Sequence, residues 1–221
     1  VSDLATRLAS VRVGIADAAA EAGRDPAGIT TIVVTKFQPV SLIAQLAELG
    51  VTDVGENRHQ EAQAKAAELA HLGLRWHFVG QLQSKKARQV RAYASVIHSV
   101  DRVGLVDALR SEEASVDCFV QVNLTDDPGR GGAQPEHLEP LVEHVLDTPG
   151  LRLLGLMAVA PLGEPPRAAF ARARTLSERV QRLAPGAGAL SMGMSHDYRE
   201  AILEGATHLR IGTAITGNRP A

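Results

Sequence analysis

The sequence predicts a closed (β/α)8 barrel, formed as one domain over residues 1–221, with an additional helix at its N-terminal end. Three observations point there. Eight short apolar runs alternate with helix-patterned segments along the whole chain. Such alternation implies a parallel sheet joined by right-handed crossovers. The length, 221 residues, suits one sizeable core and is slightly short for a barrel of the TIM type. No Gly-x-Gly-x-x-Gly follows the first strand and no Walker-type loop is present, which argues against a nucleotide-binding fold. An open, doubly wound sheet is the alternative to closure.

The elements follow in order. Leu4, Leu8, Val11 and Ile15 recur at helical spacing, with Ser2 or Asp3 as the cap and Gly23 as the stop. "TIVVTK" reads as a buried strand and "SLIAQLAELG" as a short helix. "VTDVGEN" is a strand and turn, and "RHQEAQAKAAELAHLG" a helix. The strands "RWHFVG", "SVIHSV", "VDCFVQVNL" and "LRLLGLMAV" then alternate with the helices "SKKARQVRAY", "DRVGLVDALRSEEA" and "PEHLEPLVEHVLDT". A long helix follows in "PPRAAFARARTLSERVQRLA". "ALSMGMS", "HDYREAILEG" and "THLRIGTA" supply the seventh strand, a helix and the eighth strand. The opening helix is expected to stand in for the one missing after strand eight. "NLTDDPGRGGAQ" reads as the longest loop, where Asp126, Asp127 and Arg130 are loop residues.

Composition excludes several classes. The 23 Lys and Arg against 25 Asp and Glu leave a formal charge of −2. That balance gives no field for nucleic acid or an anionic membrane, so any anion site must be local. No apolar run reaches the roughly 18 residues of a spanning helix, and the N-terminal segment lacks a signal-peptide core. Cys118 is the single cysteine, which fits a reducing compartment. These features predict a soluble, cytoplasmic protein. The 8 histidines show no HExxH or HxH pattern and have no cysteine partner, so no metal site is expected.

Some residues stand out for chemistry. Lys36 ends the first strand. A period of two puts Ile32, Val34 and Lys36 on one face, and an inward face would bring the ammonium to the C-terminal mouth of the barrel. It could equally snorkel outward from a strand end. As a functional group it would be a desolvated lysine able to form a Schiff base. Ser195, alone, is a plain cap of the helix after strand seven; Gly212, alone, is a turn glycine. Together with Thr213 they occupy the two loops where this barrel type usually holds phosphate. Arg210 lies opposite Leu209, either as an exterior ion-pair partner or as a cation in the barrel mouth. His77 and His98 are expected to line the interior as hydrogen-bonding residues. Lys85, Lys86, Arg88 and Arg91 form a basic cluster, read either as a solvated helix face or as a weak second anion site.

"VVTKFQP", "GENRHQEAQAK", "WHFVGQLQSKKAR", "IHSVDR", "GLMAVAP", "LSMGMS" and "HLRIGTAITG" occur in this order over nearly the whole chain. The set resembles the pyridoxal-5′-phosphate (PLP) homeostasis proteins of the YggS/PROSC type. The resemblance implies a barrel like the N-terminal domain of alanine racemase and a role in vitamin B6 handling. It implies that Lys36 carries PLP as a Schiff base and that Ser195, Gly212 and Thr213 hold the phosphate. Met194 would flank the phosphate loop and Asn57 would lie near the cofactor. Arg210 would sit beside the pyridine nitrogen. An arginine there cannot take the ring proton, so the ring would be a poor electron sink, although racemases with an arginine at that place do work. Departures are His196, where an acidic or small residue is common, and Lys85, where an asparagine is frequent.

Three functions are compatible with these residues. The first is a monomeric PLP carrier that stores, buffers or delivers PLP to apo-enzymes, with no substantial turnover. The second is a PLP-dependent amino-acid racemase of low activity. A two-base racemase needs an acid or base on each face of the substrate carbon. The resemblance places the second base of alanine racemase on a tyrosine from another domain, and here the only tyrosines are Tyr93 and Tyr198. The third is an unrelated Schiff-base enzyme of the aldolase kind, acting on a phosphorylated ligand.

Overall fold

Eight parallel strands close into a barrel in sequence order. The computed structural model describes residues 3–218. The strands are β1 (Thr30–Val34), β2 (Asp53–Glu56), β3 (Arg75–Phe78), β4 (Val96–Val100), β5 (Val116–Gln121), β6 (Leu151–Met157), β7 (Ala189–Ser191) and β8 (His208–Ile211). The helices are α1 (Asp3–Glu21), α2 (Val40–Glu48), α3 (His59–Glu68), α4 (Ala87–Arg91), α5 (Val103–Leu109), α6 (Leu138–Leu146), α7 (Pro166–Leu183), α8 (Tyr198–Leu203) and α9 (Thr213–Thr216). Closure rather than an open sheet is fixed by the pairing of β1 with β8, in which Thr30 lies opposite His208 and Ile32 opposite Arg210. Ser2, one of the two candidate caps of α1, lies outside the described residues.

The alternation of each strand sorts its side chains between two interiors. Val33, Val54, Trp76, Ile97, Cys118, Leu156, Leu190 and Leu209 face outward and join the helices in one large apolar cluster. The inward set is different. Val96, Phe119 and Met157 make a small apolar plug, and the rest of the lumen carries Asp53, His77, His98, Ser191 and Arg210, all buried. Phe119 stacks on His98 at 4.7 Å between ring centroids. Gly55 is inward too; a side chain there would press on Ile32 and Val34 of the neighbouring strand.

Among the described residues, β8 is followed by the single turn of α9. The opening helix packs against α8 and α9, with the Arg7 Nε–H donating to the carbonyl of Ile215 at 2.7 Å. It thus takes the expected place beside the last strand. The loop after β5 contains a single turn of 3-10 helix at Pro128–Arg130. Among the described residues no helix is long and apolar enough to cross a membrane.

Candidate functional site at the C-terminal mouth of the barrel

All eight strands are parallel, so residues that follow their C-terminal ends share one mouth of the barrel. Lys36, Asn57, Met194, Ser195, Gly212 and Thr213 all lie just after such ends. Arg210 lies within β8, facing the lumen.

Lys36 corrects one expectation. The strand does not run into it: β1 stops at Val34, and Lys36 and Phe37 form a turn. The reason is local. The Thr35 carbonyl accepts from the Gln38 N–H at 3.0 Å, which closes a turn in place of a further ladder bond. Lys36 is exposed, so burial does not desolvate its amine. Phe37 takes φ 63°, a conformation that costs a non-glycine residue on the order of 1–3 kcal/mol. Two contacts hold it there: its N–H donates to Glu61 Oε1 at 2.7 Å, and the Arg58 guanidinium lies 4.6 Å above its ring.

The buried lysine is Lys65, on α3. Its ammonium donates to the Thr35 carbonyl at 2.9 Å, to Glu56 Oε1 at 2.8 Å and to Glu61 Oε1 at 2.6 Å. Thr35 Oγ1 donates to the same Glu56 oxygen at 2.6 Å. Burial pushes the Glu56 carboxyl above the usual carboxylate range, against the pull of the Lys65 and Thr35 hydrogen bonds. One network therefore grips both sides of the Lys36 turn. Sequence reading passed over Lys65, though a signal was present. Ala62, Lys65, Ala66 and Leu69 fall at helical spacing on the buried face of α3.

Ser195 corrects a second expectation. It does not cap α8, whose preceding residue is Asp197; Asp197 Oδ1 accepts from the Met194 N–H at 2.6 Å. Ser195 Oγ instead accepts from the N–H groups of Gly212 and Ala214, at 3.3 and 3.2 Å. The two loops read separately in the sequence are thus tied together. Gly212 in turn lies against Val34, 3.8 Å from its Cβ when a side chain is built on the glycine. That contact brings the Ser195–Gly212–Thr213 loop next to the strand that leads to Lys36. Thr213 and Met194 are exposed.

Arg210 is buried and faces the lumen. Its guanidinium donates to Ser191 Oγ at 2.7 Å and to the Ala158 carbonyl at 2.9 Å. Burial lowers its pKa to about 10, which leaves it cationic at neutral pH. On the other side of the mouth Asn57 Oδ1 is buried without a hydrogen-bond partner, beside a cleft of about 450 Å³ that Lys86 also lines.

Three residues of the basic cluster, Lys85, Arg88 and Arg91, line one cleft of about 900 Å³, while Lys86 lines the cleft beside Asn57. Arg91 donates to the carbonyls of Leu109 and Gly150 at 2.8 and 2.9 Å and also to that of Ala114, so it is a structural brace. His196 is exposed. The Tyr198 hydroxyl lies over Gly14 of α1; Tyr93 stacks on His59, which lines the cleft beside Asn57, with its hydroxyl 3.4 Å from His59 Nδ1. Among the described residues no three His, Cys, Asp or Glu side chains are grouped to hold a metal.

The donor set suits PLP. Lys36 offers an amine, Ser195 and Thr213 hydroxyls with adjacent N–H groups, Arg210 a cation, and Asn57 an unmatched buried acceptor. Residues 25–220 match the model of the alanine racemase N-terminal domain family. A "Pyridoxal phosphate homeostasis protein" of Pseudomonas aeruginosa is 42% identical over 226 residues, covering 99% of this chain and 97% of that protein. The chain belongs to the pyridoxal phosphate homeostasis protein family. The family member of Escherichia coli is 38% identical, with 99% of this chain and 98% of that protein covered. Among solved structures, PipY of Synechococcus elongatus with PLP bound superposes with a TM-score of 0.84 at 36% identity, over 97% of this chain and 100% of PipY. Alanine racemase of Corynebacterium glutamicum shares the fold at 14% identity and TM-score 0.68, over 97% of this chain and 62% of the racemase.

Proposed function

We propose that this protein binds PLP through a Schiff base on Lys36 and serves PLP homeostasis by storing, buffering or delivering it. It acts as a cytoplasmic monomer that hands PLP to apo-enzymes and turns over no substrate to any substantial extent. The observation that carries this reading is the Ser195–Gly212 clasp against Val34. It sets a cluster of hydroxyl and N–H donors beside the strand leading to an accessible lysine.

When bound, PLP supplies an aldehyde for imine formation and a ring that can draw electrons. The chain's own residues do the rest. Lys36, exposed on a held turn, offers its amine without first having to leave a buried ion pair. Ser195, Thr213 and the N–H groups around Gly212 take the phosphate, with Met194 at the rim of that loop. Asn57 supplies an acceptor on the opposite wall. Arg210 faces the pyridine nitrogen as a donor and offers it no proton acceptor. The Tyr198 phenol is packed against α1, and burial pushes the Tyr93 phenol further from ionisation, so both tyrosines support a carrier over a racemase that needs a second base.

The test is an absorbance spectrum of the purified protein before and after borohydride, followed by peptide mass mapping. The expected result is a near-visible imine band and a reduced pyridoxyl group on Lys36. A protein that stays colourless with added PLP would sink the proposal. Incubation of the loaded protein with L-amino acids should leave their chirality unchanged; racemisation at enzymatic rates would overturn the carrier reading alone.

A further inference from the structure

The lumen holds a row of polar side chains that the binding of PLP does not by itself require. Asp53 opens β2, at the N-terminal end of the barrel. His77 Nε2 lies 2.8 Å from Asp53 Oδ1, His77 Nδ1 lies 2.9 Å from His98 Nε2, and His98 Nδ1 lies 2.8 Å from Ser191 Oγ. The last link is Arg210 Nη1, 2.7 Å from the same hydroxyl. Four strands thus contribute to one unbranched path before β8 completes it.

The direction of every bond in this path is forced. A guanidinium has donors only, so Ser191 Oγ accepts from Arg210. Its own proton goes to His98 Nδ1, because at the other end Asp53 only accepts and each neutral ring between them carries a single proton. A neutral His98 therefore carries its proton on Nε2 and donates to His77 Nδ1. His77 likewise carries its proton on Nε2 and donates to Asp53, a carboxylate that only accepts. Burial supports the neutral state of both rings, holding His98 well below and His77 below the ordinary histidine range. The Asp53 carboxyl is pushed up by burial, but hydrogen bonds from His77 and Thr52 outweigh this and keep it ionised. The other charged or titratable groups around the path are Arg75, 3.6 Å from Asp53, Asp117, whose charge acts on His77, Asp197, whose charge acts on Arg210, and His208, whose ring lies 6.5 Å from that of His98.

We propose that Asp53, His77, His98 and Ser191 are positioning residues for Arg210, forming a one-way chain of hydrogen bonds through the barrel lumen. The chain leaves the guanidinium one orientation, with Ser191 and the Ala158 carbonyl taking two of its N–H groups. The donors not used in these two bonds are left for the ring nitrogen of PLP. This role rests on the function proposed above; the chain itself does not.

The first experiment uses the protein without PLP. Long-range ¹H–¹⁵N spectra of the histidine rings should show His77 and His98 neutral, each with its proton on Nε2. A proton on Nδ1 of either ring, or an imidazolium at neutral pH, overturns the chain. The second uses Ser191→Ala and Asp53→Leu, which cut the path at opposite ends. Each should lower PLP affinity about tenfold, the loss of one charge-assisted hydrogen bond. Each should also shift the pH midpoint of the imine band, while borohydride still traps PLP on Lys36. Ser191→Thr, which keeps the hydroxyl, should restore the midpoint. Variants that melt earlier but keep the wild-type midpoint would reduce the chain to a structural element and overturn the positioning role. A wild-type protein that never takes up PLP overturns the cofactor reading, and with it the role of Arg210; the ring spectra then judge the chain alone.

Discussion

Lys36 and Lys65 meet at one turn, Lys36 within it and Lys65 beneath it, and are placed in opposite ways. Lys65 is sealed in, its ammonium shared among two carboxylates and a carbonyl. Lys36 is exposed on the turn those contacts brace. The difference teaches how a barrel mouth presents a nucleophile. A lysine locked in a buried ion pair would have to break that pair before it could react. A free lysine on a loose turn would have to lose conformational freedom on binding. Here one lysine supplies rigidity and, on the function proposed above, the other supplies the amine.

The sharpest way to break the comparison is to remove each amine in turn. Lys36→Ala should abolish covalent PLP incorporation entirely and change stability by no more than about 0.5 kcal/mol, as for an ordinary exposed site. Mass mapping after borohydride, with urea unfolding alongside, checks both halves. If the variant instead unfolds, Lys36 is a structural residue. Lys65→Met should behave in the reverse manner. It strands Glu56 and Glu61 against each other without a counter-charge, a loss of about 3–5 kcal/mol. Glu56→Gln introduced into that background should recover part of the loss. A Lys65→Met protein of wild-type stability would show that the network contributes nothing to the fold.

Much of this was legible in the sequence. Strands buried on both sides of a parallel barrel read as short apolar runs, so all eight could be placed. Period-two alternation put Ile32 and Val34 on one face; that this face is the lumen, and that Arg210 opposite Ile32 is inward with it, came from the register of the closed barrel. Two kinds of information were absent. The sequence left Lys36 open between an inward and a snorkelling side chain at a strand end, and a turn closed by Thr35 and Gln38 takes it out of the strand altogether. Ser195 precedes a helix pattern, which suggested a local cap, yet its hydroxyl binds N–H groups 17 and 19 residues away. Local pattern cannot choose between a near partner and a distant one. Ser191 went unnoticed for the same reason. Its meaning comes only from His98, 93 residues earlier in the chain.

A pH series probes the histidines of the lumen without mutation. Burial lowers the pKa of His77, His98 and His208, that of His208 to about 4 from an ordinary 6.5. The unfolded chain then binds protons from about pH 6.5 downward while the folded lumen does not. Stability from these groups is complete above that pH and is lost as pH falls toward about 4. Urea midpoints should decline steadily across this window. A flat profile would mean that the histidines are charged or solvated in the folded protein.

The smallest effect concerns Phe37, the residue that strains the turn. Its φ of 63° is open to glycine at no steric cost. Phe37→Gly should therefore relieve strain, but it also frees the unfolded chain and deletes the ring beneath Arg58, so the net change in stability should stay within about 1 kcal/mol. The informative quantity is PLP retention. If the turn serves to hold Lys36 ready, the glycine variant should release PLP faster at nearly unchanged stability, because the amine must be ordered anew at each capture. Release at the wild-type rate would show that the Lys65 network orders the turn alone, and that the strained phenylalanine adds nothing to it.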